Sequence, residues 1–149
     1  MAGRREEVVV DSSVAVKWFS IEEDTDKALV LRDEHLKGTR QVWASDLLYH
    51  EVANALRFKR TYDESKLGEA VNSLFAFHLN NWRVDQVLLR SAAAIAYRGG
   101  VTLYDAVPVA LAGIRGTICI TADAETQYKK LKPNGYPVTL LSKEPLGNR

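Results

Sequence analysis

The sequence predicts an α/β fold, a three-layer sandwich in which helices cover both faces of a mostly parallel central sheet, and three observations carry that expectation. Short apolar runs rich in β-branched residues occur at 8–10, 41–44, 118–120 and 138–141, without the polar alternation of a strand that has one wet face. Segments with helical periodicity separate them. Finally, acidic residues close two of the runs, Asp11 immediately after 8–10 and Asp123 two residues after Thr121, which ends the 118–121 strand. Parallel strands linked by right-handed crossovers place such residues together in a crevice at the carboxyl edge of the sheet.

Taken in order, residues 14–19 read as a short helix after the first strand. Residues 24–36 follow as a longer one, with Ala28, Leu29, Leu31 and Leu36 on its apolar face. After the 41–44 strand, 46–60 places Leu47, Leu48, Val52, Ala55 and Leu56 on one stripe. The next helix, 63–79, does the same with Leu67, Ala70, Val71, Leu74 and Phe75. A further short strand is expected at 82–84. Residues 85–98 form an Ala-rich helix that stops at Gly99-Gly100, and 104–114 another, with Val107, Ala110, Leu111 and Ile114 in register. The last helix, 124–131, is stopped by Pro133-Asn134-Gly135 before the final strand.

A chain of 149 residues with 46% hydrophobic and 26% charged residues can bury a core without staples, and one domain over 1–149 is expected, its ordered core about 6–142 and its ends frayed before 6 and from 143. With 20 Lys+Arg against 19 Asp+Glu, the net charge of +1 excludes a bulk electrostatic sponge for nucleic acid, leaving room for a local basic patch. The only cysteine, Cys119, has no partner within the chain and reads as a buried strand thiol, which fits a reducing cytoplasm. No apolar run approaches the roughly 20 residues that cross a bilayer, so neither secretion nor a membrane span is expected.

The acids carry the chemistry. Asp11 and Asp123 end strands and can meet. Asp105 is placed near a helix start, because Pro108 fits best where its missing N–H leaves no helical bond unmade. Each of these three also has an ordinary reading as a helix cap or turn residue. Glu51 is harder to explain that way: it lies four residues after Leu47 and four before Ala55, within the packing stripe, with no basic residue on the same stripe. An ionised carboxylate there is costly unless paired or bound to a cation. A cluster of such acids is stabilised most simply by a divalent ion, and an all-oxygen donor set selects Mg²⁺ or Mn²⁺ over zinc.

These strings, in this order, resemble the PIN-domain ribonucleases, and within them the VapC-type toxins of toxin–antitoxin pairs. Val9-Val10-Asp11-Ser12-Ser13-Val14-Ala15-Val16-Lys17-Trp18 is similar to the family's opening strand and first acid. The stretch from Leu48 to Leu56 resembles its Glu-bearing helix, with Glu51 and then Asn54 one turn on. Leu103-Tyr104-Asp105-Ala106 resembles the third acid and Ile120-Thr121-Ala122-Asp123 the fourth. Pro108 departs from the pattern, since relatives usually carry a bulky residue there. The resemblance implies a metal-dependent endoribonuclease, an RNA substrate, a cognate antitoxin protein that blocks the site, and a homodimer. It implies Asp11, Glu51, Asp105 and Asp123 as catalytic metal ligands for Mg²⁺ or Mn²⁺, with Ser12, Asn54 and Thr121 holding waters or carboxylates around the ion.

Two alternatives stay open: a housekeeping RNA-processing nuclease, and a non-catalytic relative that only binds RNA or protein. A haloacid-dehalogenase-like phosphatase is disfavoured because the position two after Asp11 is Ser13, and nucleotide binding because no Gly-x-x-x-x-Gly-Lys is present. Arg57, Lys59, Arg60, Lys66 and Lys129, Lys130, Lys132 are basic enough to follow an RNA backbone, but cations at helix C-termini are favoured by the dipole anyway. Trp18 reads as core. His35, His50 and His78 show no zinc spacing and read as structural or surface residues.

Overall fold

Strands β1 (Glu7–Val10), β2 (Gln41–Ser45), β3 (Asn80–Trp82), β4 (Cys119–Thr121) and β5 (Val138–Leu140) pair in the order β3-β2-β1-β4-β5, and every pairing is parallel. The computed structural model describes residues 6–146. Residues 1–5, expected to fray, lie outside the described residues, as do 147–149.

The crossovers are helical: α1 (Ser12–Ala15) with a 3₁₀ turn at Val16–Trp18, α2 (Thr25–Lys37), α3 (Asp46–Arg57), α4 (Glu64–Ala76), α5 (Gln86–Gly99) and α6 (Leu103–Arg115). A π-helical turn, Ala124–Tyr128, runs into α7 (Lys129–Leu131). Local chemistry fixes the ends. Asp63 accepts from Lys66 N and Asp85 from Leu88 N, each at 2.8 Å, while Gly100 and Gly116 take the left-handed conformation that closes α5 and α6.

Side chains alternate across a strand, so β1 feeds two cores at once. Val8 and Val10 enter one with Leu31, Leu48, Leu56 and Leu74, whereas Val9 enters the other with Leu88, Leu111, Cys119 and Leu131. Both faces of the central strand are dry, which explains its unbroken apolar run. Cys119 is a buried free thiol, and no described helix is long and apolar enough to cross a membrane.

Some expectations shift. β3 forms two residues earlier than the 82–84 expected, at the sheet edge. Leu36 and Phe75, placed on packing stripes, are 54% and 56% exposed. At about 100° per residue, Leu36 stands well round α2 from Leu31, and Phe75 a quarter turn from Leu74. Phe75 stacks instead on Tyr49, ring centroids 4.6 Å apart. The tail expected to fray from 143 is held further on: Lys143 donates to the Tyr128 hydroxyl and Glu144 accepts from Arg40 at 2.9 Å. Trp18 is core, its indole donating to the Ala28 carbonyl. His35 is structural: Nδ1 accepts from Val42 N and Nε2 donates to the His78 carbonyl.

Candidate metal centre

Asp11 leaves β1 in extended conformation and caps α1. Its own amide is bonded to the Ile120 carbonyl of β4 at 3.0 Å, which ties the end of β1 to the strand that delivers Asp123. Asp11 is 7% exposed, and its carboxylate Oδ2 accepts from Ser13 N at 3.1 Å and Ser13 Oγ at 2.5 Å. Burial pushes its pKa up; the Ser13 and Ser12 hydrogen bonds oppose that, and the charge of Asp123 adds to it.

Glu51 sits on α3 beside the buried Leu48 and Val52 and is half-buried, at the margin of the packing face rather than within it as expected, since Ala55 one turn on is exposed. Its pKa is raised to about 7, first by burial and then by the charges of Asp11 and Asp105, with only a hydrogen bond from Ser12 working against them. Asp105 stands in the first turn of α6, its amide donating to Thr102 Oγ1 at 3.1 Å. Burial raises its pKa, the charges of Asp11 and Asp123 raise it further, and Lys130 acts in the opposite sense.

Asp123 behaves differently. Its carboxylate caps the π-helical turn, accepting from Thr126 N at 3.1 Å, from Gln127 N at 3.3 Å and from the Thr126 hydroxyl. Burial raises its pKa, but the Thr126 and Gln127 bonds outweigh it and leave the group below the ordinary value. The helix-cap reading thus describes Asp123 in this structure, while its charge still acts on Asp11 and Asp105.

Asp11, Glu51 and Asp105 are thus each raised by burial and by the charge of at least one neighbouring acid, the pattern of a site that favours positive charge, whereas Asp123 is lowered by its own hydrogen bonds. Among the described residues, no three acidic, His or Cys side chains are yet close enough to hold an ion. The donor set itself, hard oxygens without nitrogen or sulfur, fits Mg²⁺ or Mn²⁺.

Of the supporting residues, Ser12 reaches Glu51, and Thr121 is wholly buried with its hydroxyl 3.4 Å from Asp11 Oδ2. Asn54 lies exposed one turn beyond Glu51, with no side-chain hydrogen bond among the described residues. Sequence reasoning missed Ser13 and Gln127. Ser13 carried a signal, since a serine two after a capping Asp can bond back to it; Gln127 carried none beyond lying four residues after Asp123. Pro108 needs correction: it is the sixth residue of α6, where its absent N–H deprives the Tyr104 carbonyl of a helical bond. Of the basic residues, Lys59 pairs with Glu22 at 2.8 Å and Lys130 donates to the Gly100 carbonyl at 3.0 Å.

A parallel five-stranded sheet with acids gathered at its carboxyl edge defines a class, and residues 8–131 match the PIN domain family; the chain belongs to that family. No curated protein matches it by sequence. Its fold is similar to a chain of the DNA-bound VapBC complex from Salmonella typhimurium, at 15% identity and a TM-score of 0.66, covering 92% of this chain and 99% of that one. It is likewise similar to FitAcB from Neisseria gonorrhoeae (13% identity, TM-score 0.63, 92% and 99% covered). A toxin–antitoxin complex from Klebsiella pneumoniae matches at 17% identity, with a TM-score of 0.60 and 80% and 88% covered.

Proposed function

We propose that this PIN-domain chain is a divalent-metal-dependent endoribonuclease, and that it is the toxin of a VapBC-type pair. The observation that carries the nuclease reading is Glu51, whose carboxyl is held near a pKa of about 7 by burial and by Asp11 and Asp105. A protein gains nothing in stability from gathering unpaired acids; a cation at that edge gives them a purpose. Solved relatives that are toxin–antitoxin complexes support the toxin role and a protein antitoxin as partner. A homodimer is the assembly that the family resemblance implies.

Asp11, Glu51, Asp105 and Asp123 would hold Mg²⁺ or Mn²⁺ directly or through water, with Ser12 donating to the Glu51 carboxylate and the Thr121 oxygen holding the Asp123 amide. The ion's contribution is to make water nucleophilic near neutral pH and to neutralise charge at the scissile phosphate of RNA. The chain's own task is to keep its carboxylates ionised and aimed. Ser13 does so for Asp11 by donating to it, and Ser12 for Glu51. Asn54, exposed one turn after Glu51, would hold a water or carboxylate around the ion, as the family resemblance implies.

The deciding experiment incubates the purified chain with total RNA, with and without Mn²⁺, beside Asp11→Asn. Metal-dependent cleavage lost in the variant supports the reading, and undiminished cleavage by the variant defeats it. Co-expression with the product of a short neighbouring gene, followed by loss of cleavage in the co-purified complex, separates a toxin from a housekeeping nuclease.

A further inference from the structure

Gln127 is wholly buried, and a carboxamide in such a place must find partners for both of its ends. It finds them on two different elements of the metal centre. Nε2 faces the backbone carbonyl of Asp105 at 2.8 Å, and Oε1 faces Thr121 Oγ1 at 2.5 Å. A carbonyl can only accept, so the amide nitrogen belongs at Asp105 and the amide oxygen at Thr121. Thr121 must then donate to Gln127. Its oxygen accepts from Asp123 N at 3.0 Å. Ser13 Oγ, which donates to Asp11 at 2.5 Å, accepts from Ala122 N at 2.9 Å. Each hydroxyl has a single proton, so Thr121 has none left for Asp11 Oδ2, 3.4 Å away.

The backbone at both ends of this bridge is unusual. Pro108 removes one helical bond from the turn of α6 that carries Asp105, and Gln127 supplies a bond to that turn from outside the helix. Gln127 itself lies in the π-helical turn, where Tyr128 N bonds the Asp123 carbonyl at 3.1 Å; single wide turns of this kind concentrate at functional sites.

We infer that Gln127 is a positioning residue of the metal centre. Its carboxamide fixes the first turn of α6 against the end of β4, which sets where Asp105 stands relative to Asp11 and Asp123. The inference rests on the nuclease reading above and adds to it a residue that touches neither ion nor RNA.

Gln127→Met keeps the length and volume of the side chain and removes both bonds; Gln127→Asn keeps the amide but is too short to span both partners. Mn²⁺ alone is titrated into parent and variants by calorimetry, RNA cleavage is followed against Mn²⁺ concentration, and hydrogen exchange over 106–110 is measured in chelator. The expected result is Mn²⁺ affinity about tenfold weaker in both variants, as for other outer partners of metal ligands. The rate at saturating Mn²⁺ should recover to within a few-fold of the parent, and exchange over 106–110 should be faster. That pattern separates lost positioning from lost chemistry. Should Gln127→Met fail to fold, Gln127→Asn carries the comparison. A folded variant that binds Mn²⁺ as tightly as the parent overturns this inference alone; a parent that binds no Mn²⁺ overturns the nuclease reading and this inference with it.

Discussion

Ser13 Oγ stands 2.5 Å from Asp11 Oδ2, and the amide of the same serine donates to the same oxygen at 3.1 Å. One residue thus supplies two of the bonds that oppose the effect of burial on this carboxyl. The serine oxygen also accepts from Ala122 N, so it fastens the end of β1 to the segment that leads to Asp123.

Ser13→Ala should therefore cost stability and metal affinity together. The Ala122 N–H loses its acceptor and Asp11 loses a donor, a loss of about 1–3 kcal/mol. Thermal melting should register it as a drop of several degrees. Calorimetry with Mn²⁺ should show weaker binding at pH 7, because the Asp11 carboxyl is then held more firmly in its protonated form; equal affinity would show that the backbone bonds suffice.

Asp11→Asn should raise the melting temperature in chelator while abolishing cleavage. The carboxylate is buried and repelled by Asp123, and an uncharged amide escapes both penalties. Differential scanning calorimetry in EDTA tests the first half, and a lower midpoint than the parent's would show that the ionised group is satisfied without a cation.

The pH dependence has a definite sign. Glu51 has its pKa raised from the ordinary 4.5 to about 7, so the folded chain binds its proton more tightly than the unfolded chain does. The resulting stability is complete below 4.5 and is lost as pH rises to about 7. Melting in chelator from about pH 4.5 to about pH 7.5 should show a falling midpoint, and Glu51→Gln should flatten that fall. Added Mn²⁺ should reverse the trend, since the ion favours the ionised carboxylates. A parent curve that rises through this window would contradict the electrostatics of the site.

Pro108→Ala should stabilise the chain. Proline in a helix interior costs about 3 kcal/mol, and alanine restores the N–H that the Tyr104 carbonyl lacks. Part of the gain is lost because Pro108 is buried and alanine is smaller, which leaves a rise of a few degrees to be seen by circular dichroism. An unchanged or lower midpoint would mean that the proline ring's packing matters more than the missing bond.

The sequence alone determined the layers and the position of each acid along them. Val8, Val9 and Val10 are apolar on both faces because the strand is covered on both, and a carboxylate directly after such a strand has to emerge at its end. Glu51 stood out for a similar reason, as a charge within a period of 3.6. These are properties of one element at a time, and periodicity reports them. The tertiary structure decided which atoms satisfy one another. Ser13 meets Ala122, and Gln127 meets Asp105, only because β1 lies beside β4 and α6 starts above them. Leu36 and Phe75 failed to reach the core because each stands well round its helix from the buried face, at Leu31 and Leu74, and helix docking decided which face that was. Hydrogen-bond partners remote along the chain are set by strand order and helix docking, and no local pattern encodes those.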